Sequence, residues 1–123
     1  MGVRASSLRP MGSREESYAE VAALVLAGEW TSYGDISMAV HGSSRAARAV
    51  GSAAATSEDF PHAHRVLRSD GSIARRTAPR SHDPLHIRAL LESEGISFDT
   101  RWWADPRQRV HWDELQRRAR KGS

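Results

Sequence analysis

Two short helical patterns follow each other between Thr31 and Ala55, with little more than a glycine turn between them. Thr31 or Ser32 suits an N-cap ahead of Ile36, Ala39 and Val40, and His41-Gly42 closes that helix. Ser43 or Ser44 caps the next, which runs from Arg45 to about residue 55 with Ala46, Ala47, Ala49, Val50, Ala53 and Ala54 along it. A short helix, a tight glycine turn and a helix with arginines at its start make a helix-turn-helix pattern. The second helix is rich in small residues, which allow close approach to another backbone or to a DNA groove. Many small helical domains share this pattern, so alone it indicates a fold class and not a function.

The flanking sequence fits around that unit. Ser13 is placed to cap a helix over residues 14–27, with Tyr18, Val21, Ala22, Val25 and Leu26 at helical spacing and Gly28 as its stop. Residues 65–68 and 72–75 flank Ser69-Asp70-Gly71 and predict a hairpin, the wing of a winged domain. Pro84 opens a helix containing Leu85, Ile87, Ala89, Leu90 and Leu91, which Gly95 stops. Residues 96–101 and 109–112 suggest a second hairpin, and Asp113 caps a basic terminal helix over 114–121. Trp102 and Trp103 would face opposite ways on a strand, one into the core and one outward as a contact for a partner, or both would pack the C-terminal hairpin with Trp112, which is the favoured expectation. The expectation is a mainly α winged helix-turn-helix domain with small β-hairpins over residues 13–123. Residues 1–12 are expected to be a disordered leader: Arg4 and Arg9 flank no apolar stretch, so they do not read as a secretory signal. No run is long and apolar enough for a membrane, and a cytoplasmic monomer is expected.

Composition narrows the chemistry. The chain of 123 residues has no cysteine, which excludes disulfides, thiolate metal sites and thiol nucleophiles. Of its 18 basic residues only Lys121 is lysine; the rest are arginine, whose planar fork grips phosphate through paired hydrogen bonds. Residues 13–30 carry Glu15, Glu16, Glu20 and Glu29 against Arg14, while residues 44–80 carry seven arginines against Glu58, Asp59 and Asp70. Such asymmetry suits a nucleic-acid binder and equally a solvated charged surface. His41, His62 and His64 fit no common metal spacing, so neither a metal nor a cofactor is expected.

Three segments occur in order: Thr31-Ser32-Tyr33-Gly34-Asp35-Ile36, Arg45-Ala46-Ala47-Arg48-Ala49-Val50-Gly51 and Ala63-His64-Arg65-Val66. Together they resemble the DNA-binding domain of the O6-alkylguanine-DNA alkyltransferases, which reads Ser-Tyr, Ala-Arg-Ala-Val-Gly and Pro-Cys-His-Arg-Val. The likeness runs from about Tyr18 to Gly95. Ala63 stands where that family has its acceptor cysteine, so the chain is most similar to the alkyltransferase-like branch. That branch binds alkylated guanine and passes it to nucleotide excision repair. An alanine methyl has no lone pair with which to accept an alkyl group.

The resemblance implies roles for single residues. Arg48 corresponds to the arginine finger that fills the stack behind a rotated nucleotide, the alternative being a phosphate-contacting or solvated arginine. Tyr33 corresponds to the tyrosine that presses on the phosphate beside the target, the alternative being a core tyrosine. Arg45, Ser32, Ser44 and Arg65 complete the expected DNA contacts, though Thr31, Ser32 and Ser44 serve equally as caps. Ala63, Arg76 and Tyr33 would line the lesion pocket, with Arg76 otherwise a surface arginine. His64 and Glu94 resemble the family's base and its partner, here vestigial; the plain reading is a half-buried histidine and a helix-end carboxylate. The sequence departs from the family at His62, which replaces proline, in a shorter loop over residues 51–63, and at Ser57-Glu58-Asp59, where a hinge asparagine is expected. The implied partners are duplex DNA containing O6-alkylguanine and excision-repair proteins. The rival readings are a helix-turn-helix regulator indifferent to damage and a base-excision enzyme working through His64 and Glu94.

Overall fold

The computed structural model describes residues 13–57, 60–74 and 84–122. Among the described residues five α-helices, α1 (Ser13–Ala22), α2 (Tyr33–His41), α3 (Ala47–Thr56), α4 (Pro84–Ser93) and α5 (Trp112–Gly122), surround two two-residue strands, β1 (Thr31–Ser32) and β2 (Val66–Leu67). The strands pair in parallel, Thr31 with Val66 and Ser32 with Leu67. Successive side chains on a strand face opposite ways, and this small sheet uses that property to divide the interior. Val66 joins Tyr18, Val25, Ile36, Val50 and Leu115 on one side. Leu67 joins Trp30, Ile87, Leu91 and Ile96 on the other.

The helix-turn-helix forms as its caps dictate. Ser32 accepts from the Asp35 backbone N–H at 2.9 Å, and the Asp35 carboxylate accepts from the Ser32 N–H at 3.2 Å, a reciprocal capping box. Gly42, at φ +78°, closes α2 by donating to the Met38 carbonyl. Ser43 caps a 3-10 turn, Ser44–Ala46, that leads directly into α3. α4 ends at Ser93, and the turn that follows it is closed by Gly95, whose φ is +102°.

α1 is shorter than its periodicity predicts. It ends at Ala22, and Leu24 and Val25 follow in single turns. Their carbonyls instead accept from Arg118 and Arg65, each at 2.8 Å. These guanidiniums supply donors that a longer helix would have provided from its own backbone.

Both expected hairpins need correction. The turn at Ser69-Asp70-Gly71 forms, with Arg68 N–H bonded to the Ser72 carbonyl at 3.0 Å. Its incoming strand, however, pairs with β1, and residues 72–74 form no strand. In the C-terminal region Phe98 bridges Ala104, whereas Arg109 bridges Trp30 in parallel. Trp30 N–H donates to the Gln108 carbonyl and Val110 N–H to the Trp30 carbonyl, at 3.1 and 2.7 Å. The core tryptophan is Trp30, 1% exposed, and neither Trp102 nor Trp103 is buried. They carry cations on their faces instead: Arg88 lies 4.4 Å from the Trp102 ring centre and Arg101 4.0 Å from that of Trp103.

Candidate nucleic-acid interface

The pairing of the arginines separates a free face from a structural one. Arg65, Arg88, Arg101, Arg107, Arg109, Arg117 and Arg118 each form an ion pair with a carboxylate. Arg45, Arg48 and Arg68 form none among the described residues, and all three are exposed. Arg48 and Arg68 line a cleft of about 610 Å³ together with Tyr33 and Gly51. The Tyr33 ring lies on Gly51, where an added Cβ would sit 3.7 Å from Cδ1. Burial raises the Tyr33 pKa, and the neighbouring Arg68 charge opposes that rise. α2 thus presents a half-buried tyrosine at its first turn, with unneutralised guanidiniums from α3 and the turn after β2 around it. This arrangement can receive an anionic backbone, since charge without an internal partner is left for an external one.

The centre around Ala63 has a different character. The 3-10 turn Ala63–Arg65 packs against α4 and brings His64 Nε2 within 3.0 Å of Glu94 Oε2. Arg65 donates to both Glu94 oxygens at 2.9 Å. Chiefly through those hydrogen bonds from Arg65, and against the opposing effect of burial, the Glu94 pKa is held at about 2; His64 adds to the lowering. A histidine–carboxylate pair is therefore intact beside a methyl group. His62, just before it, sits at φ +53°, which a proline ring cannot adopt. The backbone entering this turn consequently differs from one built on Pro-Cys. Burial lowers the His62 pKa, with the Arg65 charge adding to the effect.

Several expected site residues are redistributed. Tyr33 and Arg48 line the cleft, Ser44 lines the opening on the other side of Tyr33, and Arg45 is exposed. Ser32 does not, because it is fully buried and its hydroxyl belongs to the capping box. Arg65 does not either: it is 8% exposed, and its guanidinium is spent on Glu94 and the Val25 carbonyl. Arg76 and Glu58-Asp59 lie outside the described residues. Arg68 and Arg109 were not singled out in the sequence. Arg68 carries a faint signal as a charge at the edge of a glycine turn, whereas nothing local marks Arg109, which reaches Asp35 Oδ2 at 2.8 Å and the Ser69 carbonyl at 3.2 Å. Among the described residues no group of three or more His, Asp or Glu side chains is placed to hold a metal ion.

A small helix-turn-helix together with a histidine–carboxylate pair joining the Ala63–Arg65 turn to the end of α4 describes a class of DNA-binding domain. The chain belongs to the family of the 6-O-methylguanine DNA methyltransferase DNA-binding domain, which matches residues 14–96. Similar solved structures include Schizosaccharomyces pombe Atl1 in complex with damaged DNA containing O6-carboxymethylguanine, and S. pombe ATL in complex with DNA. Each is 24% identical, covering 80% of this chain and 95% of that one, with a TM-score of 0.64. Mycobacterium tuberculosis O6-methylguanine methyltransferase is 30% identical over 66% of this chain and 47% of its own, at a TM-score of 0.52. No curated protein sequence matches the chain.

Proposed function

We propose that this protein binds duplex DNA containing O6-alkylguanine, turns the alkylated nucleotide out of the stack and retains it without removing the alkyl group. The observation that carries this reading is Ala63 beside an intact His64–Glu94 pair: the family's centre is present and its nucleophile is not. Arg48 fills the stack behind the rotated nucleotide, Tyr33 presses on its phosphate, and Arg45 and Ser44 contact the flanking backbone. A weakened, alkylated base pair costs less to open, which favours the damaged site. Retention without chemistry makes the complex a flag for nucleotide excision repair, with the protein acting as a monomer. The His64–Glu94 centre does not favour base excision, since a carboxylate held at about 2 is a poor proton acceptor at neutral pH.

The test is a titration of an O6-methylguanine duplex against its unmodified twin across a salt series. Tighter binding to the lesion is expected, with both affinities falling as salt rises; equal affinities would overturn the lesion reading. Labelled methyl groups should stay on the DNA, and label found on the protein would overturn the non-enzymatic half. Added protein should speed excision of the lesion strand in a repair-competent extract, and an unchanged excision rate would remove the flagging role.

A further inference from the structure

A second cleft, of about 740 Å³, opens on the other side of Tyr33, where the chain beyond residue 96 meets the helix-turn-helix. The turn after β2 contributes Arg68, the 3-10 turn before α3 contributes Ser44, and the C-terminal segment contributes Arg109, His111 and Trp112. That segment is firmly placed. Val110 is bonded to Trp30 by its N–H, and its carbonyl accepts from the Thr31 hydroxyl at 2.7 Å.

The polar groups of this cleft divide into committed and uncommitted sets. Asp35 is 4% exposed, and its Oδ2 is taken by Ser32 and by Arg109 Nε. Arg109 is thereby neutralised. Asp70, at the rim, accepts from the Ser72 N–H and hydroxyl with its Oδ1. Among the uncommitted side chains are those of Arg68, His111, Trp112 and Ser44. All four are exposed, and none has a hydrogen bond or ion pair within the protein among the described residues. Guanidinium, imidazole, indole N–H and hydroxyl all donate. The donors converging on this open cleft outnumber the acceptors that face them. The exposed acceptor is the Asp70 carboxylate at the rim, held ionised by its Ser72 hydrogen bonds and the nearby Arg68 charge. Such a set suits an anion with several oxygens.

We propose that the C-terminal segment completes a phosphate-binding cleft, in which His111 and Trp112, with Arg68 and Ser44, hold one phosphodiester of the duplex on the side of Tyr33 away from Arg48. The inference rests on the DNA-binding reading above and extends it to residues outside the matched family range. The backbone is then gripped on both sides of the tyrosine, so that the strand is anchored while the nucleotide between the grips rotates. An open cleft beside a recognition helix suits a strand running through it better than an enclosed small anion.

The experiment is a methylphosphonate scan, in which single linkages of the lesion duplex are made neutral in turn. Wild-type protein is expected to lose on the order of three- to tenfold in affinity at one linkage flanking the target. His111→Ala should lose a similar factor on the unsubstituted duplex and no further affinity when that linkage is neutral, and Arg68→Ala should couple to the same linkage. Trp112→Phe, which keeps an aromatic ring and removes the donor, should behave like a milder His111→Ala. Variants that bind as wild type, or whose losses multiply with every neutral linkage alike, would overturn the assignment. Inorganic phosphate competing for the cleft with no coupled linkage would make free phosphate the ligand, and would likewise overturn it. If the wild type binds no duplex, this cleft and the reading beneath it both fail. If it binds the lesion and the variants are uncoupled, only the cleft fails.

Discussion

Replacing Arg65 with methionine keeps much of the side-chain volume and removes the charge that the Ala63 centre is built on. Arg65 makes two hydrogen bonds to Glu94 and one to the Val25 carbonyl, all within 2.9 Å. Holding the Glu94 carboxyl at about 2, against its ordinary 4.5, corresponds to roughly 3 kcal/mol of stability at neutral pH. Because the folded-state pKa is depressed, that stability is complete above the unfolded value and is lost as pH falls toward the folded one. By linkage about 2 kcal/mol of it has gone at pH 3. Arg65→Met removes the largest contribution to that shift, while His64 keeps a part of it, and should cost about 2–3 kcal/mol in urea unfolding at pH 7. The gap between wild type and variant should narrow by about 2 kcal/mol at pH 3. A loss below about 1 kcal/mol at pH 7, or a gap that does not change with pH, would refute the clamp. The folded variant should keep the wild-type salt slope for duplex binding. A slope lower by about one unit would return Arg65 to the DNA face.

Arg48→Ala should cost on the order of 1–3 kcal/mol of lesion binding and reduce the signal of a fluorescent base analogue at the target; normal binding and flipping would remove the finger. Ala63→Cys should not restore rapid methyl transfer, because His62 at φ +53° holds the entering backbone away from a proline-built geometry. Fast stoichiometric transfer in a single-turnover assay would refute that. Gly71→Ala places a Cβ 2.8 Å from the Ala104 carbonyl oxygen at φ +91°, and should destabilise the fold by about 2–3 kcal/mol. Thermal unfolding checks this, and an unchanged midpoint would show that the Gly71–Ala104 contact yields easily.

Features governed by neighbouring residues were legible in the sequence. The Ser32 cap, the Gly42 and Gly95 stops and the turn at Gly71 each follow from a residue and its close surroundings. Pairings across distance were not. β1 and β2 are two residues long, so no alternation announces them, and their partners lie 35 positions apart. Arg65 looks like any other arginine until Glu94 is seen beside it, which is why a buried clamp was expected to be a DNA contact. Trp102 and Trp103 suggest strand alternation, yet Trp102 sits at φ +68° and no strand runs through the pair. The motif residues Tyr33, Arg48, His64 and Glu94 were marked by resemblance. Arg68 and Arg109 became distinguishable only once each arginine could be sorted by the carboxylate it has or lacks.

The parallel bridge between Trp30 and Arg109 has a consequence for biosynthesis. A ribosome releases Trp30 long before residues 105–110, yet both of its backbone hydrogen bonds and the acceptor of its indole N–H come from that later stretch. Closing so long a loop is entropically slow to reward. The nascent helix-turn-helix therefore waits with an uncovered tryptophan beside its sheet, in the interval when a growing chain is most open to chaperones and aggregation.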